Sequence, residues 1–380
     1  MRRRVLSIVG ALGLVSGLLS SGVAAQATNS SGLGASAGAV LASSAGAGNG
    51  DTQCSGTFDP TTGICTISQT TLTEDHSAVC VENNVPGGVE GCAIIQTSGP
   101  GFNNRAVVVQ RYHENQGPNQ TPCPTTQSGT QCATQTVTIT QMATGGGSNF
   151  ASVGQKTDQK LEPNANGDQN QQDDQEVTIT QTSDTGQNQS DLDQSSKQNA
   201  KSNTTANQTQ TSTELGDIAQ FSSGLSRASA NQDQDQQLAG NGSQTQQIDP
   251  RCCTDQLSNP DDVFTIKQNA NQQAESAGAL QDSSTLGECF SDGHCTIDQT
   301  GTQNGASATT HTNCTPGTFC GNRITCSGGG ESGANACVSG PIGDAPVAAR
   351  STNSAVALRD SQVSTGRSAA RSAPLTAILT

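Results

Sequence analysis

Short runs in which apolar and polar residues alternate are the strongest pattern in this chain. Six share one form: Cys65-Thr-Ile-Ser-Gln69, Cys92-Ala-Ile-Ile-Gln96, Val137-Thr-Ile-Thr-Gln141, Val177-Thr-Ile-Thr-Gln181, Phe264-Thr-Ile-Lys-Gln268 and Cys295-Thr-Ile-Asp-Gln299. Residues two apart on a strand point to one face, so β-branched residues at this period predict strands. Gly-rich links follow several of the runs, namely Gly99-Pro-Gly101, Gly145-Gly-Gly147 and Thr300-Gly301-Thr302, and predict turns. Beyond the turn comes Asn-x-Ala-x-x-x-Gln, as in Asn104-Arg-Ala106 reaching Gln110 and Asn149-Phe-Ala151 reaching Gln155. Asn304-Gly-Ala306, and Asn188 reaching Gln194, are related pieces. The predicted unit is therefore strand, tight turn, strand. Such a unit cannot bury its apolar face alone and must stack on its neighbours.

Composition explains why stacking is needed. Leu, Ile, Val and Phe number 60 of 380 residues, there is no Trp, and Tyr112 is the single tyrosine. That is too little apolar area for an ordinary packed core, which leaves disorder or a repetitive β architecture that pairs its polar side chains. Ile297 and Gln299, two apart, face one way on a first strand, and Asn304 and Ala306 do so on the returning strand, with Gly301 allowing the turn between. If both pairs face inward and units repeat at about 4.8 Å, each amide donates to one copy and accepts from the next. The same logic nominates Gln96, Asn104, Ala106, Gln110, Gln141, Asn149, Ala151, Gln155, Gln181 and Gln268 as ladder positions. The expected fold is all-β, a β-solenoid or β-helix of amyloid-like stacking, with exposed rung ends able to template another chain.

The chain divides by composition. Residues 1–27, with Met1-Arg-Arg-Arg4, an apolar run from Val5 to Leu19 and Ala25-Gln26-Ala27, are expected to be a secretory signal peptide. A Ser/Gly/Ala leader (28–52) and an Ala/Ser/Arg tail (341–380) are expected to be disordered, and no span should cross a membrane once the signal is removed. Between them lie a Cys-bearing β-repeat region (53–154), a Gln/Asn-rich segment (155–250) and a second Cys-bearing region (251–340). The middle segment holds 30 Gln and Asn in 96 residues and no cysteine, and reads equally as repeats or as low complexity.

All 14 cysteines follow the signal, an even number that in an exported chain predicts disulfides. They fall in close pairs: Cys54 and Cys65, Cys80 and Cys92, Cys123 and Cys132, Cys252 and Cys253, Cys289 and Cys295, Cys314 and Cys320, Cys326 and Cys337. Each pair is expected to clip the turn that leads into a strand. No C-x-x-C occurs and there are only 4 His, so a zinc knuckle is not expected. Asp233-Gln-Asp235 and Asn164-Ala-Asn166-Gly-Asp168 lack a full calcium-loop pattern, and no metal or cofactor is assigned. No nucleophile elbow, zincin or phosphate-loop motif is present, so no catalytic residue is nominated. The formal net charge of −15 disfavours nucleic acid as a partner and favours solubility by self-repulsion.

One stretch carries a specific resemblance. Ile297-Asp-Gln299-Thr-Gly301-Thr-Gln-Asn304-Gly-Ala306 resembles a curlin repeat, the I-x-Q-x-G-x-x-N-x-A pattern of the major subunit of bacterial curli fibres. Gln236 with Asn241 and Gln247, Gln194 with Asn199, and Asn104 with Gln110 repeat parts of it. The spacing of units varies, and curlins are not cysteine-rich. The resemblance implies an exported, non-enzymatic structural protein, self-associating into extracellular amyloid-type fibres for surface adhesion or biofilm matrix. The competing expectation from the residues is a monomeric, disulfide-clipped secreted binding module for a carbohydrate, a partner protein or ice.

Overall fold

The computed structural model describes residues 53–83, 88–116, 130–161, 168–202, 205, 207–257, 261–276, 279–314, 318–329 and 335–341. The expected signal peptide, leader and most of the tail, and Cys123, lie outside the described residues.

The strands alternate between two sheets. One sheet receives β3 (Ile64–Gln69), β5 (Val89–Pro100), β7 (Thr130–Thr144), β9 (Gln169–Ser183), β11 (Gln208–Ser222), β13 (Gln244–Leu257) and β15 (Leu280–Ser291). The other receives β4 (His76–Asn83), β6 (Asn104–Gln116), β8 (Asn149–Leu161), β10 (Asn188–Lys201), β12 (Ser226–Ala239), β14 (Val263–Ala274) and β16 (His294–Gln303). Within each of these two sets, neighbouring strands pair in parallel. One rung is thus a strand in the first sheet, a turn, and a strand in the second; the next rung sits directly upon it. This is an all-β solenoid, as the alternation of residue types predicts.

Strand burial alternates strictly, as in β9, whose odd-numbered residues from Gln169 to Ser183 are buried. The core is correspondingly thin and continuous. In the first sheet Ile67, Ile94, Ile139, Ile179 and Ile218 stack in register, all buried. In the second sheet Val108, Val153, Leu192, Ala230, Ile266 and Ile297 do the same. Volumes compensate across the interior. A Cβ on Gly216 would lie 2.7 Å from Leu192 Cδ2, and one on Gly287 would lie 2.8 Å from Ile297 Cγ2, so glycine makes room for the larger facing side chain.

The Gln/Asn-rich middle is as regular as the rest. Residues 155–250 supply much of β8 and β13 and all of β9 to β12, paired over 13 to 15 residues in register.

The ends differ from the body of the stack. At the first end, β1 (Gln53–Cys54) and β2 (Thr57–Asp59) run antiparallel to β4 and β3, covering two and three of their residues. At the other end three antiparallel strands close the stack: β17 (Ala306–Cys314) on β16, β18 (Thr318–Gly328) on β15, and β19 (Ala336–Pro341) on β18.

This closing hairpin corrects one expectation. Gly301 is not a turn: it is buried within β16, where a Cβ would lie 2.8 Å from Ile324 Cγ2 and 2.9 Å from Cys326 Sγ. The chain turns instead at Asn304 and Gly305, with φ of 42° and 88°. Asn-Gly accepts positive φ at both positions and favours a tight hairpin, so β17 folds back on its own sheet and does not cross to the other. Ala306 consequently sits on an edge strand that has no buried residue, not in the core.

Candidate functional site

Interior Gln and Asn side chains form ladders that run along the stack. In the first sheet Gln96 Nε2 donates to Gln69 Oε1 at 2.7 Å, Gln141 to Gln96 at 2.7 Å, Gln181 to Gln141 at 2.8 Å and Gln220 to Gln181 at 2.7 Å. Each of these four amides also donates across the interior to a backbone carbonyl of the strand after its turn: Arg105, Phe150, Gln189 and Arg227, at 2.9 to 3.2 Å. Both N–H groups are therefore used, and the buried amide is not left unpaired.

In the second sheet the ladder is longer. Gln110 donates to Glu82 Oε2, Gln155 to Gln110, Gln194 to Gln155, Gln232 to Gln194, Gln268 to Gln232 and Gln299 to Gln268, all at 2.7 to 2.9 Å. A third ladder joins Asn104 to Asn149 and Asn149 to Asn188 at 2.9 Å each, with His76 Nδ1 at 3.0 Å from Asn104 Oδ1. Ala106 and Ala151 pack fully buried beside it. Thirteen of the fifteen nominated positions are thus inside. Ala306 is not, and Asn304 reaches the ladder only from the hairpin turn, donating to Gln281 Oε1 at 2.6 Å.

Three further ladders escaped sequence reasoning. Gln131, Gln171, Gln210, Gln246 and Gln281 are linked at 2.6 to 2.9 Å, Gln159, Gln198, Gln236 and Gln272 at 2.8 to 3.2 Å, and Gln169, Gln208 and Gln244 at 2.7 and 2.9 Å. Their signal is Gln recurring 35 to 40 residues apart in sequence, a period hidden by the abundance of Gln between.

The disulfides gather toward the two ends of the stack. Cys54–Cys65, Cys80–Cys92, Cys289–Cys295, Cys314–Cys320 and Cys326–Cys337 are formed as the pairing of neighbours predicts. Cys132 is also disulfide-bonded. The first four bridge the two sheets, and Cys80–Cys92, Cys289–Cys295 and Cys314–Cys320 each clip the single connection between consecutive strands, β4 to β5, β15 to β16 and β17 to β18; Cys65, Cys80 and Cys289 are buried. Cys326–Cys337 joins directly opposed residues of β18 and β19. The pairing of Cys252 with Cys253 is corrected: Cys252 lies as a buried thiol in register with Gly216 and Gly287. The side chain of Cys253 lies outside the described residues.

Burial perturbs several carboxyl groups. Glu82 is buried at the foot of its ladder, and desolvation, with a smaller push from Glu90, moves its pKa up to about 8 although Gln110 opposes the shift. Cys80, Glu82 and Cys92 cluster as metal-ligand types, but the two sulfurs are joined to each other and offer no thiolate.

No family model, curated protein or solved structure matches this chain. Among the described residues no helix is long and apolar enough to cross a membrane.

Proposed function

We propose that this chain is an exported structural protein, curlin-like in its repeat, whose solenoid is the building block of extracellular fibres for adhesion or matrix formation. The observation that carries the reading is the repeating ladder. Along each ladder an interior amide bonds to its counterpart one rung away, so the interaction that holds rungs together within a chain is the one that would hold chains together. The sparse cover of β3 and β4 supports it, since most of their outward backbone edge faces no described strand.

The closing strands favour a second reading. A stack finished by β17 to β19 and fastened by Cys314–Cys320 and Cys326–Cys337 has the capped end of a self-limited solenoid, which suits a monomeric binding module. Electron microscopy and fibre diffraction on the purified mature chain separate the two. Filaments with a reflection near 4.7 to 4.8 Å support the fibre. A species that stays monomeric by light scattering at high concentration supports the module.

A further inference from the structure

In the middle of the stack the amide ladders are interrupted by acid. Where the Gln135–Gln175 row should continue, β11 supplies Glu214, and β9 supplies Asp173 one inward position earlier, in register with Ser212. Across the interior Ser196 and Gln234 lie side by side on β10 and β12. Asp173, Gln175, Ser196, Ser212, Glu214 and Gln234 are each at most 2 % exposed. Eight of their side-chain atoms have no hydrogen-bond partner: Asp173 Oδ1, Gln175 Oε1, Ser196 Oγ, Ser212 Oγ, both carboxylate oxygens of Glu214, and Oε1 and Nε2 of Gln234.

These atoms converge. Ser196 lies against Asp173 and Gln234 against Glu214, and the two carboxylates repel one another. Gln175 Nε2 donates to Asp173 Oδ2 at 3.3 Å, but the eight atoms named above take part in no hydrogen bond, whereas along the ladders interior amides close on each other at 2.6 to 3.2 Å. An orphaned buried polar atom costs about 1 to 3 kcal/mol, so eight of them gathered on four successive strands mark a place for something between them.

Seven of the eight atoms are oxygens, two of the six residues are acids, and no Lys or Arg is buried among the described residues to balance them. An oxygen-only donor set with a double negative charge is the chemistry of a hard divalent cation, and six to eight flexible oxygen ligands suit calcium better than the octahedral demand of magnesium. We propose that Asp173 and Glu214, with Ser196, Ser212, Gln175 and Gln234, form an interior calcium site that locks four successive strands, β9 to β12. The cation neutralises both carboxylates and replaces the missing ladder bonds. The site depends on the fold alone and is independent of whether the chain forms fibres.

Because the site is closed, the cation must enter as the rungs form. The test is to unfold the mature chain in denaturant with its disulfides intact, refold it with calcium chloride, magnesium chloride or a chelator, dialyse exhaustively, and measure bound metal and thermal midpoint. About one retained calcium per chain and a midpoint raised by several degrees over the chelator sample are expected, with magnesium giving a smaller effect. The double variant Asp173→Asn/Glu214→Gln, nearly isosteric and uncharged, should lose both responses. Ser212→Ala, which keeps the charge but removes one oxygen, should bind about tenfold more weakly. Asp193→Asn/Asp235→Asn, on the outer face of the same rungs, should behave as wild type. Equal calcium retention by wild type and Asp173→Asn/Glu214→Gln would place the metal on surface acids and overturn the proposal. So would a wild type that retains none, whatever the variants do.

Discussion

A buried glutamine is ordinarily a cost, and here it is the repeating unit of order. Gln181 donates to Gln141 and to the Gln189 carbonyl, and accepts from Gln220 and Ser190. Gln181→Leu keeps the volume and strands several of those partners, so at least about 2 kcal/mol of stability should be lost in chemical unfolding. Thr180→Val, on the outward side of the same strand, should change it by no more than about 0.5 kcal/mol. A second residue-scale expectation concerns Glu82. Its native pKa of about 8 exceeds the ordinary 4.5, so between those values the folded chain keeps a proton that the unfolded chain has released. Stability contributed by this group is complete below about pH 4.5 and is lost as pH rises through 8. Glu82→Gln should match wild type near pH 4 and exceed it at pH 8, read as the denaturation midpoint across the range; a wild type that gains on the variant with rising pH reverses the sign and refutes the assignment.

At the scale of strands, the Thr-Ile-x-Gln runs were legible because β-branched residues at period two have one physical meaning. The Gln/Asn-rich middle was legible only in part: its composition suits both disorder and a stack, and what decides is register with a neighbour some 36 to 40 residues away, which local pattern does not express. Asn304-Gly305 shows the opposite failure. The curlin pattern suggested a crossing turn at Gly301, but the local hairpin preference of Asn-Gly prevailed because the last rung has no further rung to stack on. Element by element, the disulfides predict unequal stability. Among the described residues no disulfide falls on β9 to β12, where the ladders run unbroken on both sides except at the acid cluster. Mild reduction without denaturant should therefore raise hydrogen exchange first at the two ends, in β1 to β5 and β15 to β19, and leave β9 to β12 protected. Uniform loosening would show that the clips hold the whole stack.

For the molecule as a whole, charge sets the terms of association. A formal charge of −15 on stacked copies is self-repelling, and screening shortens its range to about 8 Å at physiological ionic strength. If chains associate end to end, turbidity or light scattering should rise faster in about 0.15 M salt than in about 0.01 M. Indifference to salt would mean that the ends meet without bringing the charged faces together. Sequence reading anticipated ends open to a further strand. It missed the closing strands, since alternation looks the same in a strand read either way.

The ladders also have a sense. Every glutamine in the two long rows gives one N–H toward the preceding rung and its carbonyl toward the following one, while the shorter asparagine row runs the other way. Amide dipoles aligned in this manner add, as they do along a helix, leaving the two extremities electrically unlike. If chains associate end to end, like extremities would bring donor against donor, so growth would proceed head to tail, and the two tips of one filament would lengthen at different speeds.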